Sequence, residues 1–89
     1  MSWEIRIPRS VQRELDELPD TVWREGMEAG AELRDDPFPV GSKILEGYTQ
    51  RYRMRFYRGQ YRIVYDVSHK QRRVILVRVR HRRDVYRGL

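Results

Sequence analysis

The chain has 89 residues, enough for one hydrophobic core, and its lack of cysteine excludes a disulfide framework and a thiolate metal site. Its net charge of +6 is uneven, because residues 1–50 carry 6 basic and 11 acidic side chains whereas residues 51–89 carry 13 and 2. No apolar run approaches the length of a membrane span and residues 1–10 lack the apolar segment of a signal peptide, so we expect one soluble, cytoplasmic domain over residues 1–89.

The first half of the chain predicts one strand followed by two helices. Residues 3–7 alternate apolar and polar side chains, which is the pattern of a strand with one buried face. Residues 9–18 repeat apolar side chains at helical spacing, and Pro19 interrupts that pattern. A second helix is predicted from Asp20, a favourable N-cap, to Arg34. It ends before "DDPFPVG", because the residue before each proline disfavours the α region.

The second half predicts strands. Residues 44–45 suggest a short strand or turn, and residues 52–57 and 60–67 alternate apolar with arginine-rich positions around a reversal at Arg58-Gly59. A last strand is predicted over residues 73–80, followed by a short terminal helix or tail. In that strand one face is predicted to hold Ile75, Val77 and Val79, and the other to hold Val74, Leu76, Arg78 and Arg80.

These elements together predict an α+β fold. It has an N-terminal strand, a helical hairpin and a three-stranded antiparallel meander, all in one antiparallel sheet with the helices on one face and arginines on the other. The aromatic and methionine side chains expected in the core are Trp3, Trp23, Met54, Phe56, Tyr61 and Tyr65.

The arginines of the two central strands share one face. Arg53, Arg55 and Arg62 all oppose the apolar positions, and like charges at neighbouring strand positions repel. An anionic ligand is therefore expected there, and nucleic acid is favoured because all basic residues except Lys43 and Lys70 are arginines, which fork onto phosphate and stack on bases. A solvated basic face paired with carboxylates from the first half is the alternative at this point.

Four motifs in this order resemble the RelE/ParE superfamily of bacterial toxins, and more closely the RelE messenger-RNA endonucleases than the ParE gyrase poisons. They are "DP" at 36–37, "KILEG" at 43–47, "YRMRF…GQYRIVYDV" at 52–67 and "VRHRRDVYR" at 79–87. The resemblance covers nearly the whole chain and implies a RelE-like fold. It also implies a toxin of a toxin–antitoxin system that cuts messenger RNA in the ribosomal decoding site by metal-independent attack of the 2′-hydroxyl, and that an acidic antitoxin silences.

The resemblance further implies roles for individual residues. Arg53 and Arg55 take the places of an alternating pair that is usually Lys or Arg, and Arg62 matches the arginine that contacts the scissile phosphate. Arg82 and Tyr86 match a catalytic arginine and an aromatic residue. The predicted catalytic set is Arg53, Arg55, Arg62, His81, Arg82 and Tyr86, and the predicted RNA contacts are Arg51, Arg78, Arg80 and Arg83.

Proton transfer is left open between His81 and Tyr86. A guanidinium stays protonated far above neutral pH and makes a poor base, whereas imidazoles titrate near neutrality and a tyrosine hydroxyl can donate a proton. His81 is also the alternative to Arg82 at the catalytic arginine position. No cofactor is expected, and the two histidines and scattered carboxylates lack the spacing of metal ligands.

Two other functions compete with the endoribonuclease. One is a ParE-like toxin that inhibits DNA gyrase without nuclease activity, and the other is an inactive RNA-binding relative. The partners expected for the favoured function are a cognate acidic antitoxin, messenger RNA and the ribosome, with no membrane and no metal.

Overall fold

The computed structural model describes residues 2–89 as five strands and two helices. In chain order they are β1 (Glu4–Arg6), α1 (Arg9–Asp16), α2 (Asp20–Asp35), β2 (Lys43–Ile44), β3 (Arg51–Phe56), β4 (Tyr61–Ser68) and β5 (Arg73–His81). The predicted order of strand, helical hairpin and three-stranded meander is confirmed. Within residues 2–89, neither helix is both long and apolar enough to cross a membrane.

All five strands form one sheet in the spatial order β1-β5-β4-β3-β2. β3, β4 and β5 pair antiparallel as predicted, and the short β2 extends the sheet beside β3. β1 lies at the other edge and pairs parallel with β5, so the expectation of a wholly antiparallel sheet is wrong there. A parallel pair needs a long connection between its strands, and the helices and the meander supply it.

Both helices pack on the same face of the sheet. α1 begins directly after Pro8 and α2 directly after Pro19, where a residue without a backbone N–H is tolerated. Asp20 is therefore the first helical residue and not the predicted N-cap. The buried residues are Val11 and Leu15 in α1, and Val22, Gly26, Ala29 and Leu33 in α2.

The buried stripe of α2 leaves out one residue that was expected in the core. Trp23 is 41% exposed, because the residues that face the sheet recur from Val22 at helical spacing and Trp23 lies beside this stripe. Gly26 lets α2 approach closely, since a Cβ built there would lie 3.1 Å from the Phe56 ring of β3. The other expected core residues hold: Met54, Phe56 and Tyr65 are buried, and Trp3 and Tyr61 pack against the core.

β5 does not alternate regularly, because it contains a β-bulge at Val77. Tyr65 pairs with Leu76 but its neighbour Val64 pairs with Arg78, which leaves Val77 without a partner on β4. Before the bulge, Val74 and Leu76 are buried against the core, and after it Val79 is. The predicted faces of β5 are therefore wrong, because Val74 and Leu76 lie on the same side as Val79 and not with Arg78 and Arg80. Arg78 and Arg80 do lie on the side away from the helices, where their cross-strand partners also point.

Candidate nucleic-acid interface

The sheet face opposite the helices, called here the arginine face, is built from three rows of cross-strand neighbours. The rows run Arg51, Asp66, Ile75 and Arg6; Lys43, Arg53, Val64 and Arg78; and Arg55, Arg62 and Arg80. Neighbours within a row have Cβ atoms about 5 Å apart in an antiparallel pair. The strand register therefore places Arg53, Arg55 and Arg62 on one face, as their alternation predicts.

The first row is neutralised within the protein. Asp66 accepts two hydrogen bonds from Arg51, at 2.7 Å from Nε and 3.0 Å from Nη2, in a fork that suits a planar guanidinium. The hydrogen bond to Asp66 raises the pKa of Arg51. The Arg51 guanidinium also lies 4.8 Å from the centre of the Tyr48 ring. This predicted RNA contact is thus held by a carboxylate and an aromatic ring.

Arg62 has a different environment. Its Nε is buried and has no hydrogen-bond partner among residues 2–89. Burial lowers the pKa of Arg62, and the positive charges of Arg55, Arg53 and Arg82 lower it further, while Tyr86 acts in the opposite direction. The fold thus holds a guanidinium with an unused donor among other cations, an arrangement that an anion would stabilise.

Carboxylates are absent from this part of the face. Within residues 2–89, Arg53, Arg55, Arg62 and Arg82 form no salt bridge, although five other arginines do. The paired arginines are Arg6, Arg51, Arg73, Arg80 and Arg87. The interpretation as a basic face neutralised by acidic side chains therefore applies to Arg51 and Arg80 but not to these four residues, which are called the arginine cluster below.

The C-terminal tail, residues 82–89, folds back over the arginine face as a series of turns and not as a helix. Val85 of the tail and Val64 of β4 are both completely buried, yet neither belongs to the main core between the sheet and the helices. Arg78, which neighbours Val64 across the strands, donates hydrogen bonds to the tail backbone. The tail thus brings Arg82 and Tyr86, which are distant from Arg62 in sequence, close enough to influence its charge.

His81 lies on the other side of the sheet. It pairs with Tyr61 across β4 and β5, and the two rings are 5.2 Å apart on the face that packs against the core. Its Nδ1 accepts a hydrogen bond from the N–H of Arg83 at 3.2 Å. The structure therefore does not bring His81 to the arginine cluster. The sequence already indicated this position, because His81 lies two residues after the buried Val79 in the same strand and therefore points to the same face.

The remaining predicted RNA contacts differ in their surroundings. Arg80 forms an ion pair with Glu14 of α1. No local sequence pattern indicated that Glu14 belongs to this site, because the two residues are 66 positions apart. Arg78 is bonded to the tail, and Arg83 is exposed on it. In the described part of the chain no group of three or more histidine and carboxylate side chains is arranged to hold a metal ion.

Comparison with known proteins relates the chain to two named toxin groups. Residues 5–86 match the family model described as the ParE toxin of the type II toxin–antitoxin system parDE. The chain is also 30% identical over 88 residues to the toxin RelG of Mycobacterium tuberculosis, and the alignment covers 98% of this chain and 99% of RelG.

Solved structures show the same architecture. The RelBE2 toxin–antitoxin complex of Mycobacterium tuberculosis matches with a TM-score of 0.78 and 25% identity, over 92% of this chain and 100% of that one. The archaeal RelE–RelB complex of Pyrococcus horikoshii matches with a TM-score of 0.76 and 26% identity, over 92% and 97%. The isolated RelE toxin of E. coli, at 20% identity and a TM-score of 0.77 over 89% and 83%, supports the fold alone.

Proposed function

Because the chain belongs to the RelE/ParE superfamily of type II toxins, we propose that it is a ribosome-dependent endoribonuclease that cuts messenger RNA at the arginine cluster. The observation that carries this proposal is the environment of Arg62. Its buried Nε has no hydrogen-bond partner among residues 2–89, and burial together with the other members of the arginine cluster lowers its pKa. Such a site suits a phosphodiester that gains negative charge during the reaction.

The reaction we assign is transesterification within the RNA. The 2′-oxygen attacks the adjacent phosphorus and loses its proton to water, the bond from phosphorus to the 5′-oxygen breaks, and the 5′-oxygen takes up a proton. The products are a 2′,3′-cyclic phosphate and a 5′-hydroxyl end. The intermediate phosphorane carries more negative charge than the substrate, so cations fixed in advance stabilise the transition state more than the ground state.

The arginine cluster divides this work by position. Arg62, a partly buried residue at the centre of the cluster, donates to the non-bridging oxygens of the scissile phosphate through the terminal nitrogens of its guanidinium. Arg55 lies directly beside Arg62 in its row and Arg53 lies in the next row, so both can hold the same phosphate or its neighbour. Arg82 approaches from the tail. Each well-placed donor contributes roughly 2.7 to 4 kcal/mol to the transition state.

Tyr86 is the residue we assign to the leaving group. It is 42% exposed and interacts with Arg62, whereas His81 lies on the opposite face of the sheet. Its phenol can donate the proton that the 5′-oxygen takes up, and its ring can stack on a base of the displaced strand. The guanidinium of Arg62 holds the phosphate while Tyr86 transfers its proton.

A cognate antitoxin with an acidic segment is the partner we propose for the silenced state. Relatives from Mycobacterium tuberculosis and Pyrococcus horikoshii have been solved as complexes with their antitoxins. Carboxylates laid on the arginine cluster would compensate the charges that the fold leaves unpaired. Saturating antitoxin should therefore abolish RNA binding, and a ternary complex that keeps its RNA would contradict this mode of silencing.

The match to the ParE family model supports a second candidate, a toxin that acts on DNA gyrase and cuts no RNA. Induced expression in a bacterial host separates the two functions. The ribonuclease produces new RNA 5′ ends at codon spacing inside translated frames, and Arg62→Ala removes them. Double-strand DNA breaks with intact messages would establish the gyrase function instead. Arg24→Gln on the opposite face of the protein serves as the control with the same loss of charge.

A further inference from the structure

Arg78 joins the sheet to the C-terminal tail. Its Nη1 donates one hydrogen bond to the carbonyl oxygen of Val85, at 3.0 Å, and another to the carbonyl oxygen of Arg87. These two residues flank Tyr86, the tail residue that interacts with Arg62. The guanidinium of Arg78 is thus directed at the backbone of the tail on both sides of Tyr86.

The tail has little structure of its own to keep it in place. The N–H of Arg82, at its start, donates to the carbonyl of Gln60, and the backbone hydrogen bonds of residues 84–89 are local and reach no further than the carbonyl of His81, at the end of β5. Among residues 2–89, the bonds from Arg78 are the only side-chain hydrogen bonds between the sheet and residues 84–89. The buried side chain of Val85 provides the second attachment. Removal of Arg78 should therefore leave residues 84–89 attached to the sheet only by the backbone bonds to His81 and by the side chain of Val85.

The bulge in β5 is the reason that Arg78 reaches the tail. Val74 and Leu76 face the core, and a regular strand would turn the next residue of that parity, Arg78, into the core as well. Val77 is an extra residue in β5, so the alternation of side chains between the two faces shifts by one position and Arg78 points to the arginine face. A bulge that re-aims a side chain in this way is a frequent feature beside functional sites.

We propose that Arg78 is a positioning residue that holds Tyr86 beside Arg62, and that it is not one of the RNA contacts predicted for this strand. Its effect on cleavage rests on the proposed ribonuclease function. Its hold on the tail is a property of the protein alone, so the two can fail separately.

Hydrogen exchange of the isolated protein tests the hold on the tail. In Arg78→Gln the amides of Val85 and Arg87 should exchange at least about tenfold faster than in the wild-type protein, while amides of β4 keep their protection. Arg24→Gln, an exposed position on α2 with the same loss of charge, should leave tail exchange unchanged. Arg78→Met, which keeps the aliphatic stem, repeats the measurement if the glutamine variant folds poorly.

Cleavage kinetics test the action through Tyr86. Because Arg78 acts by placing Tyr86, the single-turnover rate of the double variant Arg78→Gln/Tyr86→Ala, which lacks both the ring and the hydroxyl, should lie within about threefold of Tyr86→Ala alone. Arg78→Lys, whose single nitrogen can also donate two bonds, should recover most of the rate and the tail protection.

Two results would overturn the proposal. One is an Arg78→Gln protein with unchanged tail exchange whose salt dependence of RNA binding falls by about 0.7, the value for one phosphate contact on a single strand. The other is multiplicative loss of rate in the double variant, which would mean that Arg78 acts on RNA independently of Tyr86. If the wild-type protein cuts no RNA, tail exchange alone decides whether Arg78 holds the tail.

Discussion

Glu14 of α1 binds both the backbone and the side chain of consecutive residues in β5: its Oε1 accepts from the N–H of Val79 at 2.9 Å and its Oε2 accepts from Nε of Arg80 at 2.5 Å. β1 pairs with β5 only as far as Ile75, so the edge of β5 beyond it has no neighbouring strand. The carboxylate therefore satisfies an edge N–H and also withdraws Arg80 from the charges that could meet RNA.

Substitution of Glu14 should separate these two effects. In Glu14→Gln the amide oxygen can still accept from Val79, but the charge of Arg80 is no longer compensated, so RNA should bind more tightly with a salt slope steeper by up to about 0.7. Glu14→Ala leaves an edge N–H without its acceptor and should lower the free energy of unfolding by about 1 to 3 kcal/mol. Glu17→Gln, an exposed carboxylate on the same turn, is the control for net charge. Equal binding by both glutamine variants would contradict this role of Glu14.

Arg62 should contribute to function at a cost in stability. Arg62→Met should lose at least about a hundredfold in cleavage rate, because a donor to the phosphorane is removed. It should also raise the free energy of unfolding by about 0.5 to 1 kcal/mol, since a desolvated charge among like charges is replaced by an apolar side chain. A lowered pKa disfavours the charged form in the folded state, so this penalty acts at every pH below the lowered value. Urea unfolding and single-turnover cleavage measure the two effects, and a variant that is less stable than wild type would contradict the account.

Tyr86 and His81 should differ in their effect on cleavage. Tyr86→Phe keeps the ring for stacking and removes the hydroxyl, and it should slow single-turnover cleavage at least about tenfold. His81→Gln should change the rate by less than about threefold, because the imidazole lies on the opposite side of the sheet beside Tyr61. A pH dependence near neutrality that disappears in His81→Gln would return the proton transfer to the histidine.

Tyr65 should make stability depend on alkaline pH. Its hydroxyl is buried and donates to the carbonyl of Pro37 at 2.8 Å, and burial raises its pKa from 10.0 to about 12. A raised pKa favours the neutral phenol in the folded state, so its contribution is complete below about pH 10 and is lost as the pH rises toward 12. Tyr65→Phe should cost about 1 to 2 kcal/mol at pH 7.

The difference between wild type and Tyr65→Phe should then shrink as the pH rises from 10 to 12. Urea midpoints at several pH values give this difference. Tyr61→Phe is the matched control, because the Tyr61 hydroxyl makes no hydrogen bond within residues 2–89. A difference that stays constant across this range would mean that ionisation of Tyr65 is not coupled to unfolding.

The sequence by itself determined the elements and the composition of the arginine face. The alternation in residues 52–57 and 60–67 placed Arg53, Arg55 and Arg62 opposite the buried Met54 and Ile63, because a strand has a period of two. Helical spacing likewise located α1 and α2, and Pro19 marked the break between them. These are local regularities of the backbone, so a window of a few residues contains the information.

The tertiary structure decided which of these arginines are available and what surrounds them. The bulge at Val77 depends on how β5 fits β4 and not on any residue type at that position, and it fixes the direction of Arg78. The pair of Glu14 with Arg80 and the approach of Tyr86 to Arg62 join residues that are far apart in the chain. Such contacts follow from the packing of α1 and the tail on a completed sheet, and the energy that selects them exists only when all the elements are in place.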